Sequence, residues 1–307
     1  MPPTLVTVVT PSYNQGPFIR ATIESVLSQD HPELEYVIVD GGSTDETVGI
    51  AREYSSRLTF ITEPDRGQSH AINKGFRRAR GEYLAWLNSD DIFLPGAVRR
   101  GAMELDRRKE LGAVYGEGYL INRAGDITGR FPHTRPFDFP RLLCFSDYIL
   151  QQTVFFRKSV FEQIGYLDED LHYVMDWDIL IRLAKRFEIG YIPEYMACLR
   201  EYPEAKSFAG GGARIAEIRR IMVRHTGLRF APGYITYGLE TYKPIWCDWI
   251  EAHSPRLLAM PSEKLRHYLI VSANLVIERT NRTWRRRASK VASPPDIPAR
   301  TARTPDG

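Results

Sequence analysis

The chain has 307 residues, 43% hydrophobic and 26% charged, ordinary globular proportions that exclude a disordered or collagen-like protein. It is long enough for one large domain or two smaller ones, with a core that needs no disulfide staples. The net charge of +3 is uneven: residues 279–307 hold eight Lys/Arg against two Asp/Glu, which leaves residues 1–278 at −3 and gives no sign of a nucleic-acid-binding body.

In chain order, Leu5–Val9 reads as a buried strand, and Asn14-Gln-Gly-Pro17 opens a helix whose Ile19, Ile23, Val26 and Leu27 share one face. Tyr36–Val39 is a second strand ending at Asp40, and Ser43-x-x-Glu46 reads as a capping box for a second helix. Leu58–Thr62 is a third strand, Ser69–Arg80 a third helix, and Tyr83–Leu87 a fourth strand that runs into Asn88-Ser-Asp-Asp91. Repeated βα units predict a parallel, doubly wound sheet with ligands at the carboxyl ends of its strands. Further on, Val114–Ile127 predicts a strand or a hairpin turning at Asn122–Gly125. Thr153–Arg157 predicts a strand, and Val160–Gly165 and Asp176–Phe187 helices. Gly210-Gly-Gly212 reads as a hinge or flexible loop, and Arg214–His225 and Glu263–Arg287 as later helices.

Polar clusters follow each of the first four strands: Thr10-Pro-Ser-Tyr13, Asp40-Gly-Gly-Ser-Thr-Asp45, Glu63-Pro-Asp-Arg-Gly67 and Asn88-Ser-Asp-Asp91. One such cluster alone is ordinary turn chemistry. Four on one rim collect Asp40, Asp65, Asp90 and Asp91, and so many acids are costly unless they bind donors or a hard cation. The three cysteines, Cys144, Cys198 and Cys247, are far apart and fit neither a disulfide framework nor a zinc site. His70, His133 and His172 have no metal-binding spacing. No GxGxxG follows the first strand, which argues against a dinucleotide-dependent oxidoreductase, and no basic glycine-rich triphosphate loop argues for a nucleotidyltransferase.

In order and spacing these motifs resemble the inverting family-two glycosyltransferases over residues 4–97. Weaker agreement continues through Gln152–Arg157, Ile164–Asp168 and Met175–Arg182 to about Tyr202. The resemblance implies an α/β protein of GT-A type: a doubly wound, mainly parallel sheet with flanking helices, plus a helical C-terminal extension. The expected organisation is a catalytic domain over 1–209, with a nucleotide-binding half at 1–110 and an acceptor half at 111–209. A helical region over 210–290 and a disordered basic tail over 291–307 would follow.

Carried over by position, Thr10, Pro11 and Tyr13 form the nucleotide wall, and Asp40 accepts from the base edge. Asp65 and Gly67 line the nucleoside side, joined by Lys74 and Asn73 unless Lys74 is a solvated helix charge. Asp90 and Asp91 hold ribose and metal–diphosphate. Asn88 stands where the first acid of the usual Asp-x-Asp would be, so the metal, Mg²⁺ or Mn²⁺, is placed on Asp91 with Asp90 supporting. Asp176 matches the general base, with Asp178 the runner-up, and either acid could instead serve only the helix N-terminus. Trp177 is core or an edge of the sugar site, Asp168-Glu-Asp170 a solvated turn, and Arg200 a phosphate contact or a surface ion pair.

The expected reaction is transfer of a sugar from a nucleotide-sugar donor to a saccharide or lipid-linked acceptor, in polysaccharide or glycoconjugate synthesis. A catalytically silent nucleotide-sugar-binding protein and a nucleotidyltransferase are the alternatives. The N-terminal apolar run lacks the basic flank of a signal peptide, so a cytoplasmic location is expected. Tyr242–Ile250 and the basic end Trp284–Arg287 leave peripheral contact with the inner face of the membrane as an option beside plain helix packing.

Overall fold

The computed structural model describes residues 3–206, 210–229, 231–235, 237, 238 and 241. The helix expected at Glu263–Arg287, the aromatic segment Tyr242–Ile250 and the basic tail lie outside the described residues. The first half is β1 (Val6–Ser12), α1 (Gly16–Leu27), β2 (Leu34–Asp40), α2 (Thr47–Glu53), β3 (Thr59–Thr62), α3 (Gln68–Arg78) and β4 (Tyr83–Trp86). The second half begins with β5 (Ile92–Phe93), α4 (Ala97–Arg107), β6 (Leu111–Ile121), β7 (Ile127–Arg130) and α5 (Phe139–Cys144). A 3₁₀ turn (Gln151–Thr153), β8 (Phe155–Arg157), α6 (Val160–Ile164), α7 (Met175–Ala184), β9 (Glu188–Arg200) and α8 (Gly211–Thr226) complete it.

One sheet has the strand order β3-β2-β1-β4-β8-β6-β9-β5, with β7 beside β6. The β3-β2-β1-β4 part is parallel, as the βα alternation requires. The β6–β9 pair is also parallel, whereas β4–β8, β6–β8 and β5–β9 are antiparallel, so the sheet is mixed. The chain leaves β1 towards β2 on one side and returns to β4 on the other. The carboxyl ends of these strands therefore flank a topological switch point, where such sheets bind ligands. Register puts Ser12 opposite Asp40 and Asp40 opposite Thr62, lining up three of the polar clusters.

Helices cover both faces because their apolar stripes match the strands. Ile19, Ile23 and Val26 of α1 are fully buried with Val6, Val8 and Ile38. Ile72 and Phe76 of α3 are buried on the other face with Val9, Val37 and Val39.

Two expectations change, and one element was not anticipated. Ser43 and Glu46 form no capping box: the Asp45 carboxylate takes the Thr47 N–H at 3.1 Å and the Gly16 N–H at 2.9 Å, tying α2 to α1, while Ser43 turns to Asp40. Gly210–Gly212 is no hinge; it supplies the cap and first turn of α8. Most consequential is β9, thirteen residues that the sequence reading passed over. Pro193 and Glu194 fall where the register jumps from the Gly116–Ile192 pair to the Glu117–Tyr195 pair, a bulge at which proline costs no ladder bond.

Candidate active site

The rim is built by the loops themselves. Asn14 has a left-handed φ of 51°, and from there it stitches the first loop to the second: its N–H donates to Ser43 Oγ at 2.8 Å and its Oδ1 accepts from the Thr44 N–H at 2.9 Å. Thr10 is fully buried and bonds the Tyr36 hydroxyl at 3.0 Å; Pro11 is buried beside it, and Tyr13 is 60% exposed. Of the three, only Tyr13 therefore presents a broad free face.

Asp40 is fully buried. Its Oδ2 accepts from the Gly42 and Ser43 N–H groups and the Thr62 hydroxyl at 2.9–3.0 Å, and its Oδ1 accepts from Ser43 Oγ at 2.5 Å. The carboxylate organises its own turn, and Ser43 covers the oxygen with capacity to spare. Asp65 Oδ1 caps the Gly67 N–H at 2.7 Å, and its Oδ2 lies 2.6 Å from where a Cβ on Gly41 would be. Only glycine at 41 lets the third loop close on the second, and Gly67, at φ 115°, opens α3 in a conformation side chains avoid. Lys74 is no solvated charge: it donates to the Pro64 carbonyl and pairs with Glu63, both at 3.0 Å, from under the third loop.

Asp90 and Asp91 have distinct surroundings. Asp91 is 1% exposed with both oxygens occupied, Oδ1 by the Arg200 N–H at 2.8 Å and Oδ2 by Gln152 Nε2 at 2.6 Å and Asn88 Nδ2 at 3.1 Å. Burial, and then the neighbouring charge of Asp90, push its carboxyl up to about 8. Asp90 is half-buried; its Oδ2 accepts from the Tyr202 hydroxyl at 2.8 Å, and its Oδ1 has no partner among the described residues. Burial raises this carboxyl too. Expectation had placed the metal first on Asp91; the oxygen open to a cation belongs to Asp90. Arg200 is neither a phosphate contact nor a surface ion pair: it is 5% exposed and donates to the carbonyls of Asp90, Asn122 and Arg123 at 2.7–3.0 Å.

The start of α7 is docked against α3. Ser69 Oγ donates to the Leu171 carbonyl at 3.1 Å, and Asn73 brackets Leu167 by donating to its carbonyl and accepting from its N–H, both within 3.0 Å. Asn73 is thus a buried bracket rather than a cleft residue. The Asp168–Asp170 turn is tied down as well: Asp168 pairs with Arg224 at 2.8 Å, and Glu169 with Arg66.

Asp176 is half-buried in the first turn of α7. Its Oδ1 accepts from the Trp177 N–H at 2.9 Å, and its Oδ2 has no partner among the described residues. Burial raises its carboxyl, opposed by the charges of Arg214 and Lys206. Asp178 is fully buried, and Arg182 Nε at 2.8 Å, Arg224 at 3.1 Å and His225 Nε2 at 2.8 Å surround it. Those partners outweigh burial and hold it at about 2. Trp177 is core, 2% exposed, its indole N–H donating to the Leu142 carbonyl at 2.6 Å.

Sequence reasoning missed Asp147, before the 3₁₀ turn, whose carboxyl is pushed well above the usual range by burial and then by Asp176. It also missed Gln68 and Lys206, for which no spacing signal existed. Among the described residues, no group of three or more His, Cys, Asp or Glu side chains converges as a metal site, and no helix is long and apolar enough to cross a membrane.

Comparison with known proteins bears on the family and the fold. The family model described as Glycosyl transferase family 2 matches residues 7–165. An uncharacterized glycosyltransferase of Rickettsia prowazekii is 26% identical over 198 residues, 62% of each protein. The PGL/p-HBAD biosynthesis glycosyltransferase of Mycobacterium bovis is 31% identical over 183 residues, covering 58% of this chain and 69% of that protein. The chain thus spans about six tenths of the first of these relatives.

Two solved structures share the fold. S. aureus TarS 1–349 in complex with UDP-GlcNAc has a TM-score of 0.58 at 17% identity, covering 78% of this chain and 72% of that one. The mannosyltransferase PcManGT of Pyrobaculum calidifontis, in complex with GDP-Man and Mn²⁺, has a TM-score of 0.57 at 21% identity, covering 94% and 85%.

Proposed function

The chain belongs to glycosyl transferase family 2, and on that footing we propose that it moves a sugar from a nucleotide-diphospho-sugar to an acceptor hydroxyl with inversion at the anomeric carbon, in polysaccharide or glycoconjugate synthesis. The observation that carries the reading is a pair of carboxylates, Asp90 and Asp176. Each has one oxygen tied to the protein and one without a partner among the described residues.

Asp90 is the donor-side acid. Mg²⁺ is commonly held by only one or two carboxylates together with substrate phosphates, so the single open oxygen of Asp90 fits such an ion. Mg²⁺ or Mn²⁺ bound there would act as a Lewis acid on the leaving diphosphate. Asp91 acts behind it, using both oxygens to hold Arg200, Gln152 and Asn88. Tyr13 offers the exposed ring against the base, while Thr10 and Pro11 back the wall. Asp65, Gly67 and Lys74 shape the nucleoside side, and Asp40 reaches a base edge only when Ser43 turns aside.

Asp176 is the base. As the acceptor oxygen bonds to the anomeric carbon, the bond from that carbon to the diphosphate breaks with its electron pair on the phosphate, and the hydroxyl proton passes to the open oxygen of Asp176. One displacement needs no enzyme nucleophile and inverts the centre. Full burial and the contacts with Arg182, Arg224 and His225 argue against Asp178 in this role.

The test is release of nucleoside diphosphate from a panel of nucleotide sugars. One of them should be turned over by the wild type, and Asp176→Asn should lower turnover by about 10²–10⁴-fold with donor affinity little changed. An Asp176→Asn variant with wild-type turnover sinks the assignment, and a product of retained configuration by NMR sinks the single displacement.

A further inference from the structure

Between the acid signature and the base runs a chain of side chains that the reaction above leaves unused. Lys206 Nζ donates to Gln68 Oε1 at 2.8 Å, Gln68 Nε2 donates to Asn88 Oδ1 at 2.7 Å, and Asn88 Nδ2 donates to Asp91 Oδ2 at 3.1 Å. Its direction is fixed at the lysine end: an ammonium only donates, so Gln68 turns its oxygen to Lys206 and its nitrogen to Asn88, which in turn leaves Asn88 Nδ2 to donate to Asp91. This accounts for Asn88. An aspartate there would accept from Gln68 equally well but would set a third carboxyl group beside Asp90 and Asp91 with no amide donor for Asp91.

At the other end, the Lys206 ammonium stands 5.9 Å from the centre of the Tyr173 ring, two residues before α7, and interacts electrostatically with Asp176. Glu217 of α8 holds the Tyr173 N–H at 2.7 Å and acts on Lys206 as well. Two cations act on Asp176, Arg214 from α8 and Lys206 from the segment after β9, and Asp176 in turn acts on the Asp147 carboxyl in the connection after α5.

We propose that Lys206 is a positioning residue that links the two halves of the site, orienting Asn88 and Asp91 through Gln68 and holding the half-buried Asp176 as an anion. This rests on Asp176 being the base. Lys206 touches neither of the reacting bonds in this account; it acts through Gln68 on one side and through its charge on the other.

The test is the pH profile of nucleoside diphosphate release from a turned-over nucleotide sugar, with wild type, Lys206→Met, Lys206→Arg and Gln68→Leu compared and folding checked by thermal melting. Lys206 is exposed and acts on Asp176 less than Arg214 does, so Lys206→Met should move the acidic limb of kcat up by less than about one unit. At pH values below that limb the loss is then less than about tenfold, with the donor KM within about twofold of wild type. Lys206→Arg should restore the limb, and Gln68→Leu should lower kcat without moving it.

An unmoved limb in a folded Lys206→Met, or a loss that falls wholly on donor KM, overturns the proposal; the second result would make Lys206 a direct donor contact. The base assignment is judged apart from this, by Asp176→Asn. If that variant is dead while the Lys206→Met limb stays in place, only the inference about Lys206 falls.

Discussion

Asp176 and Asp178 are two residues apart, yet the structure assigns them opposite consequences on mutation. Asp178 is fully buried among Arg182, Arg224 and His225 and held at about 2 against an ordinary 3.8. At 1.36 kcal/mol per unit, that depression corresponds to about 2 kcal/mol of folding stability. Asp178→Asn should lose about this much, and melting should fall by about 4–8 °C. Asp178→Ala should lose about 3–5 kcal/mol, because it also leaves buried partners facing a void.

Since the folded value is depressed, the contribution is fully present above the unfolded value and is lost as the pH falls through the folded one. The gap between wild type and Asp178→Asn should therefore be constant above about pH 5 and close between about pH 4 and 2. Urea denaturation across that range reads it directly, with activity measured in parallel on the folded fraction. A variant that keeps wild-type stability but loses turnover would refute the reasoning and return Asp178 to the chemistry.

Asp90→Asn should leave stability within about 1 kcal/mol of wild type and abolish the Mn²⁺ dependence of nucleotide binding, since only an open oxygen is changed. Asp91→Ala should instead cost about 2 kcal/mol or more, read by urea denaturation, because it strands the donors of Gln152, Asn88 and Arg200. Gly41→Ala drives a Cβ against Asp65 Oδ2, so it should both destabilise the fold and weaken nucleotide affinity by calorimetry; unchanged affinity would mean that the contact between the second and third loops does not shape the site.

The half that follows simple periodicity was legible in the sequence. Val6–Val9, Tyr36–Val39 and Tyr83–Trp86 are apolar runs bounded by polar turns, and Ile19, Ile23 and Val26 mark a helix face that the fold buries completely. β9 was not, because Pro193 interrupts its pattern at a bulge whose existence depends on β6, some seventy residues upstream. The acid cluster was found by its composition, but the division of labour within it was not. Which of Asp90 and Asp91 keeps an open oxygen depends on Gln152, Arg200 and Tyr202, which come from the 3₁₀ turn and the end of β9. Asp178 was a rival to Asp176 until α8 supplied Arg224 and His225. Lys206 and Gln68 have no meaning in sequence, being 138 positions apart and joined only by the fold.

Calorimetric titration of the protein with UDP, GDP and dTDP, each with and without Mn²⁺, tests the central claim most directly. The account predicts that at least one of them binds in the presence of Mn²⁺, that its affinity falls at least tenfold without the ion, and that Asp90→Asn removes the difference. Binding of none of the three in Mn²⁺, or equally tight binding with and without it, would contradict a metal-assisted donor site at Asp90.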